Sequence, residues 1–142
     1  MKKVQQILNT KPTQVISVSQ NASVLEALQL MMEKNISALL IIDDQKLLGI
    51  FTERDYARKI ILHGKSSAET GVKEVMTADP ITVLPEDSIE LCMQTMTDKH
   101  IRHLPVMQND VVLGMVSIGD VVKFIIADQK QTISQLESYI SS

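Results

Sequence analysis

Short runs rich in apolar residues predict several β-strands along this chain, and in residues 14–19 and 80–84 the apolar residues alternate with polar ones. The runs are residues 14–19, 38–43, 47–52, 80–84, 103–107 and 111–117. Alternation with a period of two is typical of strands that bury one face. Polar turns at residues 43–46 and 108–110 separate two neighbouring pairs of these runs, which predicts two β-hairpins.

Helical spacing appears between the strands. Val24, Leu28 and Met31 fall at positions i, i+4 and i+7, which predicts an amphipathic helix after the first strand. Ser23 is followed three residues later by Glu26, and this spacing predicts a capping box where the helix begins. A second helix is expected directly after each hairpin.

The chain contains an internal repeat. When it is shifted by 65 residues, the segment from Ile16 to Lys59 matches a second segment, beginning at Ile81, without a gap. Identical pairs include Val18 and Val83, Met31 and Met96, Lys34 and Lys99, Gly49 and Gly114, and Asp55 and Asp120. A lead-in segment, residues 4–8, matches residues 72–76 at an offset of 68, so the first repeat carries three extra residues after its lead-in. Each repeat therefore has the order β-α-β-β-α.

The repeat predicts an α+β fold made of two β-α-β-β-α units. Neither half, at about 60 residues, would bury its sheet well alone, whereas two sheets packed with approximate two-fold symmetry would form a shared core. The expected boundaries are residues 7–67 for the first unit, 75–132 for the second and 133–142 for a C-terminal helical extension. The link at residues 65–71 is small and polar, which predicts a flexible connection.

The composition narrows the class of protein. Hydrophobic residues make up 44% and aromatic residues only 3%, so the core must be aliphatic and rich in methionine. A net charge of −3 argues against nucleic acid or an anionic membrane as partner, and no stretch approaches the roughly 20 apolar residues of a membrane span. We therefore expect a soluble, cytoplasmic protein. The one cysteine, Cys92, falls on an apolar helix face, and we expect a buried thiol rather than a reactive one.

The last strand of each repeat ends in a shared motif: Gly, two apolar residues, Thr or Ser, any two residues, then Asp. Its polar members are Thr52 and Asp55 in the first repeat and Ser117 and Asp120 in the second. At a strand-to-helix junction such residues suit a nucleotide, because a helix N-terminus attracts phosphate and a carboxylate accepts both hydroxyl protons of a ribose. The same residues also suit a helix cap. The motif alone leaves both interpretations open.

The whole repeat unit resembles the CBS (cystathionine-β-synthase-type) domain family. The resemblance rests on the two copies of the Gly-x-x-Thr/Ser-x-x-Asp ending and on residues 102–106, Arg-His-Leu-Pro-Val, and it covers most of the chain. The first ending, Gly-Ile-Phe-Thr-Glu-Arg-Asp, is similar to that of small stand-alone CBS pairs (Bateman modules) and of the regulatory insert in inosine monophosphate dehydrogenases. This family binds ligands in clefts between its two repeats.

The resemblance implies two ligand sites, each drawing on both repeats. The first would use Thr52, Arg54, Asp55, Arg102 and His103, with Ile81 and Thr82 framing the base. The second would use Ser117 and Asp120, with Ile16, Ala22, Ser37 and Ala38 opposite. The two aspartates would hold ribose. Because Gly119, Ser37 and Ala38 stand where the first site has Arg54, Arg102 and His103, we expect weaker phosphate binding at the second site.

The implied function is a non-catalytic regulatory module, used in signal transduction, that binds an adenine nucleotide and modulates a partner protein. AMP is the first candidate, and ATP, ADP, an NAD-type dinucleotide and S-adenosylmethionine are the others. The alternative is a structural dimerisation module without a physiological ligand. We see no nucleophile–base pair, metal cluster or further glycine-rich loop in the sequence, and we expect no enzyme, no catalytic cofactor and no metal.

A homodimer is expected, because the predicted helices carry many methionines and the family forms flat disks. The methionines are Met31, Met32, Met93 and Met96, and they could equally be ordinary core residues. The tail adds an apolar stripe at Ile133, Leu136 and Ile140. This stripe could pack on the body of its own chain or form a contact with a second copy or a partner.

Overall fold

The elements of the structure follow the predicted order. The computed structural model describes residues 2–12 and 14–141. Up to the link, the elements are α1 (Val4–Leu8), β1 (Ser17–Val18), α2 (Val24–Lys34), β2 (Ala38–Asp43), β3 (Lys46–Thr52) and α3 (Glu53–Asp55), which continues as a π-helical segment (Tyr56–Ile61). After the link they are α4 (Val72–Val75), β4 (Thr77–Ala78), α5 (Ile89–Lys99), β5 (His103–Gln108), β6 (Val111–Ser117) and α6 (Ile118–Ser141).

Both predicted hairpins are confirmed. β2 pairs antiparallel with β3, and β5 pairs antiparallel with β6. β1 adds to β2 in parallel and β4 adds to β3 antiparallel, so the first sheet has the order β1-β2-β3-β4. Ala38 lies opposite Thr52, and His103 lies opposite Ser117. The two hairpins therefore have the same register at their open ends, because His103 and Ser117 are the equivalents of Ala38 and Thr52.

The outermost predicted strands are shorter than their patterns suggest. Residues 80–84 make a single parallel bridge to β5, through Val83, and β1 is likewise shorter than predicted. Pro80 has no N–H to donate, and the Leu84 N–H donates instead to the Asp87 carboxylate at 2.8 Å. At both ends of this segment the donor that a longer strand would need is therefore absent or already used.

Each lead-in helix packs in the core of the repeat that it does not precede. α1 buries Val4 and Ile7 in a cluster of second-repeat side chains, which are Val83, Ile89, Cys92, Met96, Leu104, Val106, Val116 and Val121. The Val4 N–H also donates to the carbonyl oxygen of Asp87 at 2.9 Å. The core of the second repeat thus includes the start of the chain.

α4 makes the reciprocal contact. It buries Val72 and Val75 in a cluster of first-repeat side chains, which are Val24, Ala27, Met31, Leu39, Ile41, Phe51 and Ile60. The Val72 N–H donates to the carbonyl oxygen of Ala22 at 2.8 Å. This exchange of helices completes the two cores. The similarity between the two lead-in segments does not predict it.

The link between the repeats is bonded to the start of α2 rather than standing clear of the body. The carbonyl oxygens of Ser67 and Thr70 accept from the N–H groups of Leu25 and Val24 at 2.9 and 2.8 Å. The side chain of Thr70 is buried. The segment that we expected to be a flexible connection therefore satisfies backbone donors that the first turn of a helix leaves free.

A third cluster joins the two hairpins. Ala38, Leu40 and Ile50 of the first sheet are buried, and Val112 and Met115 of the second hairpin pack against them. This contact is the shared sheet core that the repeat predicted. The α+β fold with tandem repeats is confirmed.

The sulfur-containing residues divide between core and surface. Cys92 is fully buried, and burial, with a contribution from the charge of Asp87, raises the pKa of its thiol to about 11. The expectation of a buried thiol is confirmed. Met31 and Met96 are core residues, whereas Met32 is 80% exposed and Met93 is also exposed.

The last helix extends beyond the body of the protein. Residues 129–141 of α6 are exposed along their whole length, and the apolar side chains among them include Ile133 and Leu136. The stripe predicted in the tail therefore does not pack on its own chain. In the part of the chain that the structure describes, no helix is both long enough and apolar enough to cross a membrane.

Two equivalent glycines differ in the space around them. A Cβ atom at Gly49 would lie 2.6 Å from the sulfur of Met76 and 2.8 Å from the carbonyl oxygen of Thr77, because β4 pairs closely with β3 there. A Cβ at Gly114 would lie 3.0 Å from a terminal methyl group of Leu8. The backbone at Thr77 cannot move aside as the tip of the Leu8 side chain can. Close packing therefore requires glycine at position 49 and not at position 114.

We therefore predict that Gly49→Ala destabilises the protein and that Gly114→Ala changes little. Overpacking should cost Gly49→Ala about 1–3 kcal/mol of unfolding free energy. The matched variant Gly114→Ala should stay within about 1 kcal/mol of the parent, since the lost backbone entropy of the unfolded chain offsets a small steric cost. Urea denaturation followed by circular dichroism measures both. Equal losses for the two variants would contradict this account.

Candidate functional site

A cavity of about 660 Å³ lies at the carboxyl end of β3 and draws on both repeats. Its lining from the first repeat comprises Ser37, Ile50, Thr52, Glu53, Arg54, Asp55, Arg58 and Lys59. Its lining from the second comprises Thr77, Asp79, Pro80, Ile81, Lys99, His100, Ile101, Arg102 and His103. We refer to it as the first cavity. It contains Thr52, Arg54, Asp55, Ile81, Arg102 and His103, which are six of the seven residues predicted for the first site.

Thr52 and Asp55 form a reciprocal helix cap at the edge of this cavity. The Asp55 N–H donates to Thr52 Oγ1 at 3.1 Å, and the Thr52 N–H donates to Asp55 Oδ2 at 3.0 Å. Ser117 and Asp120 repeat the arrangement at 3.1 and 2.9 Å. The capping interpretation of the motif is confirmed. In the first repeat the capping residues also line a cavity, so a cap and a ligand site need not exclude each other.

One cation contacts Asp55, and several others line the same cavity. Lys59 Nζ lies 3.2 Å from Asp55 Oδ1 and also donates to the carbonyl oxygen of Val75 at 2.8 Å. Arg54 Nη1 donates to the carbonyl oxygen of His100 at 2.7 Å, which ties the start of α3 to the end of α5 across the two repeats. The lining carries five Arg and Lys side chains against three acidic ones, which are Glu53, Asp55 and Asp79. The cavity is therefore electropositive.

Ser37 belongs to the first cavity, not to the second site where we expected it. Its Oγ lies 3.2 Å from His103 Nε2, within hydrogen-bond distance. The hairpin register is the reason. Ala38 pairs with Thr52, and the Glu53 N–H donates to the Ser37 carbonyl oxygen at 3.1 Å, so Ser37 stays beside the end of β3.

His103 stands between the two halves of the site. Burial lowers the pKa of its imidazole below the ordinary value. The negative charge of Asp120 opposes this shift, and the positive charges of Lys11 and Arg102 add to it. His103 is therefore neutral at pH 7. His103 lines the first cavity, but its pKa also depends on the charges of Lys11 and Asp120 in the other cleft.

Thr82 is exposed and, among the described residues, lies outside the lining of the first cavity. Ile81 reaches the cavity from the position before it. The side chains of this extended segment alternate, and Val83 is the buried residue that follows. The predicted pair of framing residues is therefore divided, with one member in the cavity and one facing away.

The counterpart of the first cavity is smaller. A cavity of about 380 Å³ is lined by Leu8, Lys11, Pro12, Gln14, Val15, Ile16, Lys34, Ile36, Leu40, Leu113, Gly114 and Met115. We refer to it as the second cavity. Lys11 enters it and donates to Asp120 Oδ2 at 2.7 Å and to the carbonyl oxygen of Met115 at 2.7 Å. Burial alone would raise the pKa of Asp120, but the hydrogen bonds and charge of Lys11 and the Ser117 N–H outweigh it and hold that pKa below the ordinary value.

The residues predicted for the second site are only partly brought together. Ile16 lines the second cavity, but Ser117 and Asp120 are outside its lining in the described part of the chain. Ala38 is fully buried between the hairpins. Ala22 packs against the core of the first repeat, where its carbonyl oxygen accepts from Val72. Side-chain burial in these two cores explains why neither alanine reaches the cavity.

Sequence reasoning missed the residues that distinguish the cavities most. Lys11 and Asp79 are equivalent at the offset of the lead-in segments, and both precede a proline, yet their charges are opposite. Comparing the repeats at that offset would have found them. Arg58 and Lys59 lie on the π-helical segment, and the sequence pattern does not predict its geometry. Over residues 2–12 and 14–141, no three His, Cys, Asp or Glu side chains are grouped closely enough to hold a metal ion.

Comparison with known proteins places this geometry in context. The family model of the CBS domain matches residues 4–62 and 72–127. The mitochondrial CBS domain-containing protein CBSX3 of Arabidopsis thaliana is 43% identical over 123 residues, which cover 83% of this chain and 60% of that protein. This chain therefore spans less than two thirds of that relative's length.

Solved structures resemble the whole architecture. A CBS-domain protein from Burkholderia ambifaria is 46% identical, with a TM-score of 0.87, and the match covers 90% of this chain and 96% of that one. The CBS domain pair of protein MJ0100, in complex with 5′-methylthioadenosine and S-adenosylmethionine, is 28% identical, with a TM-score of 0.78 and coverage of 90% and 98%.

The low pKa of His103 predicts a pH dependence of stability. The unfolded chain binds a proton near pH 6.5, whereas the folded protein binds it only at lower pH. The stability that neutral His103 contributes is therefore complete above about pH 6.5 and declines as the pH falls below it. His103→Gln should flatten the curve of unfolding free energy between pH 7 and 5.5. His63→Gln, at an exposed position, is the control and should leave the curve unchanged. An unchanged slope in His103→Gln would refute the assignment.

Proposed function

The chain belongs to the CBS-domain family, and from that premise we propose that it is a regulatory module that binds an adenine nucleotide in the first cavity. The observation that carries this proposal is the pairing of a fixed carboxylate, Asp55, with an electropositive lining in one cavity between the repeats. The adenosine-containing ligands of the MJ0100 pair support an adenosine ligand here.

The chemistry of the first cavity fits the parts of a nucleotide. Asp55 is oriented by its bonds to Thr52, and a carboxylate has acceptor positions for two ribose hydroxyl groups. Arg102 and the cations of α3 and the π-helical segment would meet the phosphates, since guanidinium and phosphate form strong charge-assisted bonds. Ile50 and Ile81 supply apolar surface for the base.

The charge of the lining discriminates among the adenosine ligands. An electropositive cavity attracts the anionic nucleotides AMP, ADP and ATP and a dinucleotide such as NAD, and it disfavours the sulfonium cation of S-adenosylmethionine. We place AMP first, because one phosphate suffices for Arg102 while the rest of the molecule occupies the carboxylate and the apolar wall. The longer nucleotides are the alternatives.

We propose that the module does no catalysis and acts by changing its contacts with a partner when the nucleotide binds. Arg54 bonds across the repeats to His100, and Ser37 bonds across them to His103. A ligand between these residues would tighten or shift the two repeats against each other. The alternative function, a structural dimerisation module, predicts no effect of nucleotide on stability.

We also propose a homodimer formed through α6. Five of its exposed apolar side chains fall on positions a and d of a heptad, and they are Val122, Ile126, Ile133, Leu136 and Ile140. β-branched residues at a with Leu at d favour two-stranded packing. One d position holds Gln129, so a polar residue interrupts the apolar stripe.

The ligand proposal predicts distinct effects for two aspartates and one arginine. Calorimetry with AMP should show that Arg102→Ala lowers affinity by roughly ten- to over a hundred-fold, because a hydrogen bond to a charged group contributes about 1.5–3 kcal/mol. Arg102→Lys should recover part of the lost affinity, and the affinity of the parent protein for AMP should fall with added salt. Asp55→Ala should weaken adenosine and AMP equally, since it contacts the sugar. Asp120→Ala, which removes the equivalent cap, is the control. If it abolishes the tighter site while Asp55→Ala leaves that site intact, the assignment is wrong.

The assembly proposal predicts that a charge on the α6 stripe yields monomers. Leu136→Glu places a carboxylate at the centre of the exposed apolar face and should dissociate the dimer at micromolar concentration. Ser134→Glu adds the same charge one position beyond an a residue, on the polar face, and should leave the dimer intact. Light scattering coupled to size-exclusion chromatography measures the mass. A parent protein that is monomeric at these concentrations would contradict the proposal.

A further inference from the structure

Lys11 stands out among the charged residues because it bonds inside a cleft. Its Nζ lies 2.7 Å from Asp120 Oδ2 and 2.7 Å from the Met115 carbonyl oxygen, and only a third of the side chain is exposed. Asp120 is the second-repeat counterpart of Asp55, the residue that we assign to ribose. The ammonium group therefore already bonds to the carboxylate that a ribose would need.

The position of Lys11 is fixed by the exchanged helix. α1 is anchored by Val4 and Ile7 in the core of the second repeat. The Lys11 N–H donates to the Leu8 carbonyl oxygen at 3.2 Å, and Thr10 Oγ1 donates to that of Ile7 at 2.7 Å. These bonds keep the residues after α1 in a turn that directs Lys11 into the cleft. The contact is thus a consequence of the fold and does not depend on a mobile arm.

The first cavity has no cation at the position equivalent to Lys11. The residue equivalent to Lys11 is Asp79, whose carboxylate cannot pair with Asp55. Asp55 instead meets Lys59 of the neighbouring helical turn at Oδ1, and it remains part of the cavity lining. Asp120 does not line the second cavity in the described part of the chain, while Lys11 does.

Two of the three extra residues of the first repeat line the second cavity. The lead-in segments match at an offset of 68 and the repeats at 65, which places three additional residues at positions 13–15. Of these, Gln14 and Val15 line the second cavity, next to Pro12. The volume is about 380 Å³, compared with about 660 Å³ in the first cavity.

We infer that Lys11 is a built-in occupant of the second cleft, bonded to Asp120 in place of a ribose, so that each chain takes one nucleotide, in the first cavity. The number of nucleotides per chain rests on the proposed function. The occupancy of the second cleft rests only on the contacts of Lys11. A ligand entering the second cleft must first separate a partly buried ion pair, so its affinity there should be lower by on the order of tenfold or more.

The binding test uses AMP, calorimetry and the full chain. The parent protein should bind one AMP per chain. Lys11→Met, which retains an apolar stem, should bind a second AMP, and Lys11→Met with Asp55→Ala should bind one, in the second cleft. Asp120→Asn breaks the same ion pair but also removes the carboxylate, so this variant should still bind one AMP per chain. Lys34→Met removes another cation that lines the second cavity and is the matched control. Two AMP molecules bound per chain in the parent protein, or only one AMP bound per chain in Lys11→Met, would overturn the inference.

A second measurement needs no nucleotide. Acetic anhydride should acetylate Lys11 several-fold more slowly than Lys34, as read by mass spectrometry, because Lys11 bonds to two acceptors. In Asp120→Asn the difference should shrink. Equal rates in the parent protein would overturn the inference even if AMP binds nowhere. Absence of AMP binding in every variant, with Lys11 still protected, would refute the proposed function and leave the occupancy of the second cleft established. Thermal melting shows that each variant is folded.

Discussion

The exchange of the two lead-in helices is the constraint on which the rest of the structure depends. Val4 and Ile7 complete the core of the second repeat, and Val72 and Val75 complete that of the first. A repeat on its own would expose an apolar groove, so the halves must fold together. The clefts between them are therefore fixed by buried contacts, which gives their side chains the rigidity that a binding site needs.

Duplication supplied two equivalent clefts, and a few side chains make them different. The caps Thr52–Asp55 and Ser117–Asp120 have nearly the same geometry. What differs lies around them: Arg54 against Gly119, and Asp79 against Lys11. The first cleft gains cations and space, and in the second cleft the counter-ion of the aspartate comes from the opposite repeat. Because the cap orients Asp55 and Asp120 in the same way, the difference between the two clefts comes from the neighbouring side chains.

Much of this arrangement could be predicted from the sequence, and the failures have physical causes. The hairpins, α2 and its capping box follow from local patterns, which short-range bonds determine. The misplacement of Ser37 came from assigning residues by analogy with the opposite repeat, without the hairpin register that holds it beside Thr52. Lys11 was missed because its partner lies 109 residues away, and no periodicity carries such a contact.

The cap and the ligand site at Asp55 are best understood as one device. A carboxylate on a free side chain would lose rotamer entropy on binding a sugar, whereas Asp55 is already held by the Thr52 N–H. That bond occupies Oδ2, and Lys59 approaches Oδ1 from its own helix at 3.2 Å, with 41% of the lysine side chain exposed to water. Lys59 pairs with Asp55 from within the same repeat at 3.2 Å, whereas Lys11 pairs with Asp120 across the two repeats at 2.7 Å. Under the proposed function, the two similar caps therefore differ in the origin of the competing cation and in whether the aspartate lines a cavity.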